Sequence, residues 1–412
     1  MAVTNPVPGL SFIKRQRLRS LSVRASLGSS VLLLLAAMGF AQVGSGRPQL
    51  FTIPNHAEAA QENTSVEAAP QAESELKKGT VLTRQGSFAE AIPHLLAAQG
   101  RVASQYAASF NLALCYVGTR QFGRAIETLE NLRKEGHGSA DVENLLAQSY
   151  VGSGQSSSAF EALQRASALT PTNEKLYMYV ADACMEQRDY PLGIRVVDLG
   201  LTKLGESARL HYERGRFLSL LDEFDRAKDD FRMARTLAPG SEISYLAGAH
   251  EALYAGDPAE AARAAREGIN KGFQSSTLLT ILGEARMRAG VHPGEADFGE
   301  AQSALEKAVA TQPRDANSRT SLGKLYLLAN RKADAIVELE KARELSPENP
   351  AVYAPLAKAY QRNGDAQKAQ EALARLTLLN QAQADKIASA PADRKAGYSG
   401  AEGKQSETVN HP

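Results

Sequence analysis

Residues 208–241 read ARLHYERGRFLSLLDEFDRAKDDFRMARTLAPGS. Two amphipathic segments, 208–221 and 224–237, flank a short acidic turn, and Pro239 closes the stretch. Small residues stand at Gly215, Ala227 and Ala234, and large apolar ones at Leu218, Phe224 and Phe231. Apolar residues recurring at helical spacing predict two helices. The proline ends the second, because it cannot donate the helical bond and restricts the residue before it.

The rest of the chain reads as copies of this stretch. A step of 34 residues divides it into units 72–105, 106–139, 140–173, 174–207, 208–241 and 242–275. Unit 276–315 carries an insertion, and 316–349 and 350–383 complete nine. The eighth slot reads Gly79, Ala113, Ala147, Ala181, Gly215, Ala249, Gly283, Gly323 and Ala357. The twentieth reads Ala91, Ala125, Ala159, Gly193, Ala227, Ala261, Ala301, Ala335 and Ala369. Ala and Gly make up about a quarter of the chain, so two uninterrupted small columns are no accident of composition. Two helices cross closely only where neither carries bulk, which explains both columns. The twenty-seventh slot is small in seven units, with Leu132 and Leu376 departing, and predicts where the next helix packs. Tyr116, Tyr150, Leu218, Tyr326 and Tyr360 are read as filling the space between, and Pro171, Pro239, Pro313 and Pro347 as stops.

This pattern resembles the tetratricopeptide repeat (TPR), a helix–turn–helix unit of 34 residues. The resemblance implies an all-α, right-handed α-solenoid of nine units, with the helix past 379 as a C-terminal capping extension. The family's usual Trp in the fourth slot is absent, and Tyr177, Tyr245 and Tyr353 stand there in three units.

The ends read differently. Lys14, Arg15, Arg17, Arg19 and Arg24 precede the first acidic residue, Glu58, and an apolar run, VLLLLAAMGFA, follows at 31–41. A basic flank before eleven apolar residues fits an export signal, with Gly39 and Ala41 spaced for cleavage. Counted from 27 to 43, the run reaches seventeen residues, near the lower limit for a spanning helix. Residues 1–43 are therefore a cleaved signal or an uncleaved anchor in the inner membrane. Both place the repeats outside the cytoplasm, periplasmic or secreted in the first case, as in exported bacterial TPR proteins. No Cys follows the run, so a lipoprotein anchor is excluded. Residues 44–71 lack an apolar face and read as a flexible linker, and 384–412 as a helix extension and disordered tail.

Composition narrows the function. The formal net charge of +1 falls to −4 without the five basic residues of the leader, leaving nothing to favour nucleic acid. There is no HExxH, phosphate-binding Gly-rich loop or paired Cys motif, and no cofactor is implied. The insertion VHPGEAD at 291–297 holds His292, Glu295 and Asp297, but three ligands in six loop residues preset no geometry, so it reads as a solvated loop. Cys115 and Cys184 lie two units apart and read as buried apolar residues, not a disulfide.

Function then belongs to a surface. In the family the first helix of each unit lines a concave groove through its second, fifth, sixth, ninth, twelfth and thirteenth slots. Those slots point to Asn111, Asn144, Gln148, Tyr179, Tyr212, Arg216, His250 and Lys324, with Lys77, Asp182, Glu213, Glu284 and Lys358 beside them. Asn111 stands where the family's ligand-contacting Asn stands. Leu76 and Thr80 replace the Lys and Asn of the preceding unit, so the carboxylate clamp is not reproduced. The expectation is a non-catalytic scaffold or assembly factor that holds a protein or extended peptide in the groove. Two alternatives are a membrane-anchored structural subunit of an envelope complex and a helical-repeat enzyme acting on glycans. The only carboxylates available to that enzyme are Asp182, Glu213 and Glu284.

Overall fold

The computed structural model of the chain describes residues 70–388, and within them eighteen α-helices and no strand. The leader, the linker up to residue 69 and the tail from 389 lie outside the described residues. The helices form nine pairs. These are α1 (Pro70–Gln85) with α2 (Phe88–Ala98), α3 (Gln105–Gly118) with α4 (Phe122–Lys134), and α5 (Ala140–Gly152) with α6 (Ser156–Leu169). There follow α7 (Glu174–Gln187) with α8 (Tyr190–Lys203), α9 (Ala208–Ser219) with α10 (Phe224–Leu237), and α11 (Glu242–Tyr254) with α12 (Pro258–Asn270). The last are α13 (Ser276–Arg288) with α14 (Ala296–Thr311), α15 (Ala316–Leu328) with α16 (Lys332–Leu345), and α17 (Pro350–Asn363) with α18 (Ala366–Ala388). The architecture is an all-α helical-repeat solenoid.

The two helices of a pair start by different chemistry. From α3 onward every first helix is capped by a short polar side chain: Ser104, Ser139, Asn173, Ser207, Ser241, Ser275, Asp315 or Asn349 accepts from a backbone N–H of the first turn. Among second helices only α8 and α12 carry such a cap, from Asp189 and Asp257. The others, α14 apart, start close after the turn.

That turn has one conformation throughout. The fifteenth slot holds Gly86, Arg120, Gly154, Arg188, Asp222, Gly256, Gly290, Asn330 and Gly364, all left-handed with φ between 56° and 92°. In the first unit Gly86 N–H bonds to the Thr83 carbonyl and Ser87 N–H to the Leu82 carbonyl, both at 3.0 Å. This paired pattern recurs at Gly154 and Gly256 and satisfies carbonyls that a helix end leaves over. It reverses the chain and needs a left-handed residue.

Packing within a pair rests on the small eighth slot. A Cβ added to Gly79, Gly215, Gly283 or Gly323 would lie 2.4–2.7 Å from Leu95, Phe231, Leu305 or Leu339. Those partners occupy the twenty-fourth slot, which is fully buried in the first eight units; in the last, Leu373 is 41% exposed, with no following unit to cover it. The twenty-seventh slot receives the next unit, since a Cβ on Gly200 would meet Leu210 and one on Gly268 would meet Leu278, both at 2.9 Å.

Tyrosines tie neighbouring units together. Tyr150, Tyr326 and Tyr360 donate to Glu130, Glu306 and Glu340 of the preceding second helix. Tyr177 and Tyr353 donate to the carbonyls of Pro171 and Pro347 at 2.8 and 2.6 Å, joining the fourth slot to the preceding turn. The insertion is shorter than its sequence suggests. Helix α14 already begins at Ala296, Val291 is buried, and Arg286 pairs with Asp297 at 3.0 Å. Cys115 and Cys184 are buried and form no disulfide, and burial pushes Cys115 up to about 11.

Two substitutions separate the turn from the packing. Gly256→Ala places a Cβ with no atom within 4 Å, so its loss of about 1 kcal/mol reflects left-handed backbone alone. Gly283→Ala drives a Cβ to 2.4 Å from fully buried Leu305. It is expected to lose about 1–3 kcal/mol of packing, against about 1 kcal/mol of helix propensity gained. Urea melts read both; a more stable Gly283→Ala chain would contradict the close crossing.

Candidate functional site

Successive first helices pack side by side, including α5 on α7, α11 on α13, α13 on α15 and α15 on α17. Second helices meet far less, with α6 on α8 the main case. A double layer that is closer on one side curves toward that side, so the first helices line the inner face. Side chains in their second, fifth, sixth, ninth, twelfth and thirteenth slots build the candidate site.

The eight expected groove residues fall into two groups. Asn144 is fully buried and donates to the Leu176 carbonyl of α7 at 2.7 Å, while Gln148 donates to Asn144 Oδ1 at 2.9 Å. They clip the third unit to the fourth. Tyr212 is 1% exposed and shares a 3.2 Å hydrogen bond with His250 Nδ1. Both rings also lie against Phe231, with centroids 5.8 and 5.4 Å away. Asn144, Gln148 and Tyr212 are therefore corrected from groove contacts to buried packing positions, while His250 is half-buried with its Nδ1 spent on Tyr212.

The other four keep a claim on the inner surface. Lys324 is exposed, and Tyr179 is half-buried. Arg216 is about a quarter exposed and donates to Glu213 Oε2 at 2.7 Å. Asn111 is 5% exposed. Its Nδ2 donates to the Ala107 carbonyl at 2.8 Å, but its Oδ1 has no hydrogen-bond partner among the described residues. Arg209, one slot the sequence reading passed over, has a buried Nε in the same condition. Its place in the second slot of the fifth unit was the available signal.

Two family models described as tetratricopeptide repeat match the chain, one over residues 82–149 and 333–390 and the other over 294–350. The chain is a tetratricopeptide repeat protein. Among solved structures it is similar to a TPR protein from Parabacteroides merdae ATCC 43184, at 16% identity over 71% of this chain and 99% of that one, with a TM-score of 0.45. It is also similar to TTC0263, a thermophilic TPR protein of Thermus thermophilus, at 20% identity over 44% and 99%, with a TM-score of 0.39. The Cut9–Hcn1 hetero-tetramer of the APC/C matches at 13% identity over 72% of this chain, with a TM-score of 0.43. The chain spans 57% of that protein's length. No curated protein matches.

The charge of the TPR array's inner face is concentrated in its middle. Asp182 on α7 is half-buried, and its carboxyl is pushed up to about 7, first by burial and then by Glu213 across on α9. Arg216 and Arg209 of α9 oppose that shift, and Glu186, one turn along α7, adds to it. Burial likewise raises Glu186, with Arg120 opposing. His250 is pulled down to about 3 by burial and by Arg216 and Arg288, so its ring is neutral at pH 7. Of the carboxylates weighed for glycan chemistry, Glu213 is held by Arg216, and Glu284 accepts from Ser321 at 2.6 Å. Among the described residues no group of three or more His, Cys, Asp or Glu could hold a metal ion. The arrangement can exchange hydrogen bonds and charge with a ligand.

Asp182 gives a pH test. Its folded value lies above its ordinary one, so its favourable contribution is complete below pH 4 and is lost as pH rises through about 7. Asp182→Asn is expected to raise the Tm at pH 8, by on the order of 1–2 kcal/mol of stability after allowing for solvent screening. The gain should shrink toward zero near pH 4. Thermal melts at both values check it; a gain that is equal at both would contradict the raised carboxyl.

Proposed function

We propose that this TPR protein is an exported, non-catalytic scaffold that holds an extended or helical segment of another protein along its inner face. TPR arrays are suited to protein interaction, and here the carrying observation is Asn111. A buried amide oxygen without a partner loses roughly 1–3 kcal/mol relative to one that is bonded. A ligand N–H is one donor that would remove that loss. Arg209 Nε, on the first helix of the fifth unit, is a buried donor likewise without a hydrogen-bond partner among the described residues. Lys324 and Tyr179 extend the inner face along the array. Affinity spread over several units by modest contacts suits a scaffold or assembly factor.

Export rests on the leader, with its basic flank at 14–24 and apolar run at 31–41. Among the described residues no helix is long and apolar enough to cross a membrane. The seventeen-residue count from 27 to 43 favours a second reading, a membrane-anchored structural subunit of an envelope complex. Fractionation separates the two. A shortened soluble protein outside the cytoplasm supports the cleaved scaffold, and a full-length protein held in membranes at high salt supports the anchored subunit.

Partner capture is tested by affinity purification of the full chain from its native envelope fraction, beside Asn111→Leu and Lys324→Glu. Asn111→Leu removes an unpaired buried oxygen at similar volume, so helical content and Tm should hold. Loss of a ligand contact worth at least 1 kcal/mol should reduce recovered partner about five- to tenfold. Undiminished recovery with both variants would overturn the inner-face assignment.

A further inference from the structure

In a repeat array each unit touches only its neighbours, so a contact that skips several units needs its own explanation. One such contact is present. Gln383 Nε2, on the last helix, donates to the backbone carbonyl of Arg188 at 3.4 Å, the long end of hydrogen bonding, across 195 residues of sequence. Arg188 ends the first helix of the fourth unit, and Gln383 lies at the far end of the ninth.

Three features of the chain make this contact possible. First, α18 is 23 residues long, whereas the other second helices run from 11 residues in α2 to 16 in α14. At 1.5 Å per residue the surplus carries it about 10–18 Å past the packed array. Secondly, packing stops before the extension does. Leu379 is buried, the stretch 380–385 is exposed except at Gln383, and Gln383 alone is half-buried. Its neighbours in sequence, Ala382 and Ala384, are open, and what its amide meets is the carbonyl of Arg188. Thirdly, Arg188 is left-handed with φ 56°, and its N–H is already used by the Met185 carbonyl at 3.2 Å. Its own carbonyl lies beyond the last helical bond and is available as an acceptor.

We infer that the final turns of α18 are a strap that latches the ninth repeat to the fourth and closes the inner face between them into a ring. The latch is weak by construction. The extension reads QAQAD from Gln381 to Asp385, without an apolar stripe, and one amide hydrogen bond contributes about 0.5–1.5 kcal/mol. A closure of that strength opens and recloses readily, as a gate on a binding surface must. A segment entering between the fourth and ninth units would then wait for the latch to open or be enclosed by it. That consequence rests on the inner-face capture proposed above; the closure itself does not.

Closure is tested on the full chain without any ligand. Spin labels are placed on Glu186→Cys and Ala382→Cys, each close to one side of the latch; native Cys115 and Cys184 are buried and stay unlabelled. The expected distance distribution has a dominant, narrow short-distance population, which adding Gln383→Ala shifts toward longer, broader distances. A broad long-distance distribution with Gln383 intact would overturn the strap. So would a short-distance population that Gln383→Ala leaves unchanged, since the ends would then be held by solenoid stiffness alone. Small-angle scattering gives an independent reading from chains ended after Ala388 and after Asn380. Both keep every packed residue through Leu379. The shorter chain should have the larger radius of gyration despite its lower mass, and an equal or smaller value would contradict closure.

Discussion

The array depends on one crossing: an eighth-slot residue with no side chain, or only a methyl, under the apolar residue of the twenty-fourth slot. Gly283 beneath Leu305 and Gly215 beneath Phe231 show its tolerance, since a single added carbon would come within 2.4–2.7 Å of the partner. That approach fixes how the two helices of a unit cross. Repeated nine times, and with first helices packed closer to one another than second helices are, it bends the array and produces an inner face. Small residues at Gly200 and Gly268 admit the following unit, and the tyrosine bonds to Glu130, Glu306 and Glu340 lock it in register.

Sequence shows such columns because packing at a fixed spacing demands a fixed residue size. The eighth, twentieth and twenty-seventh slots were legible for that reason. The fifteenth slot is equally strict but asks for a backbone conformation, which Gly, Asn, Asp and here even Arg120 and Arg188 satisfy. Four residue types blur a column that the structure shows without exception. Arg120 and Arg188 adopt it while lying 5.8 and 5.3 Å over the rings of Phe122 and Tyr190, an attraction that offsets part of the backbone strain.

The candidate site was only half legible, because a slot number gives direction and not depth. Tyr212 and His250 point inward as their slots require, but Phe231 lies close enough to stack with both rings, and Tyr212 is buried outright. Asn144 and Gln148 point inward too and spend their amides on Leu176 and on each other. The state of Asp182 could not be read from its own helix, since it depends first on burial and then on Glu213, Arg216 and Arg209 one unit away. What remains at the surface is a line of chemically modest groups around a charged middle. Such a face suits capture of a chain over several units better than recognition of one small molecule in one pocket.

The most direct measurement of that central claim is photocrosslinking from a single position on each layer, in the full chain within its native cells. A photoreactive phenylalanine replaces half-buried Tyr179 on the inner face, or Met233, 46% exposed on the second helix of the fifth repeat. Capture along the inner face predicts a discrete protein adduct from position 179 and none from position 233. An adduct from 233 alone would place the partner on the outer layer and contradict it.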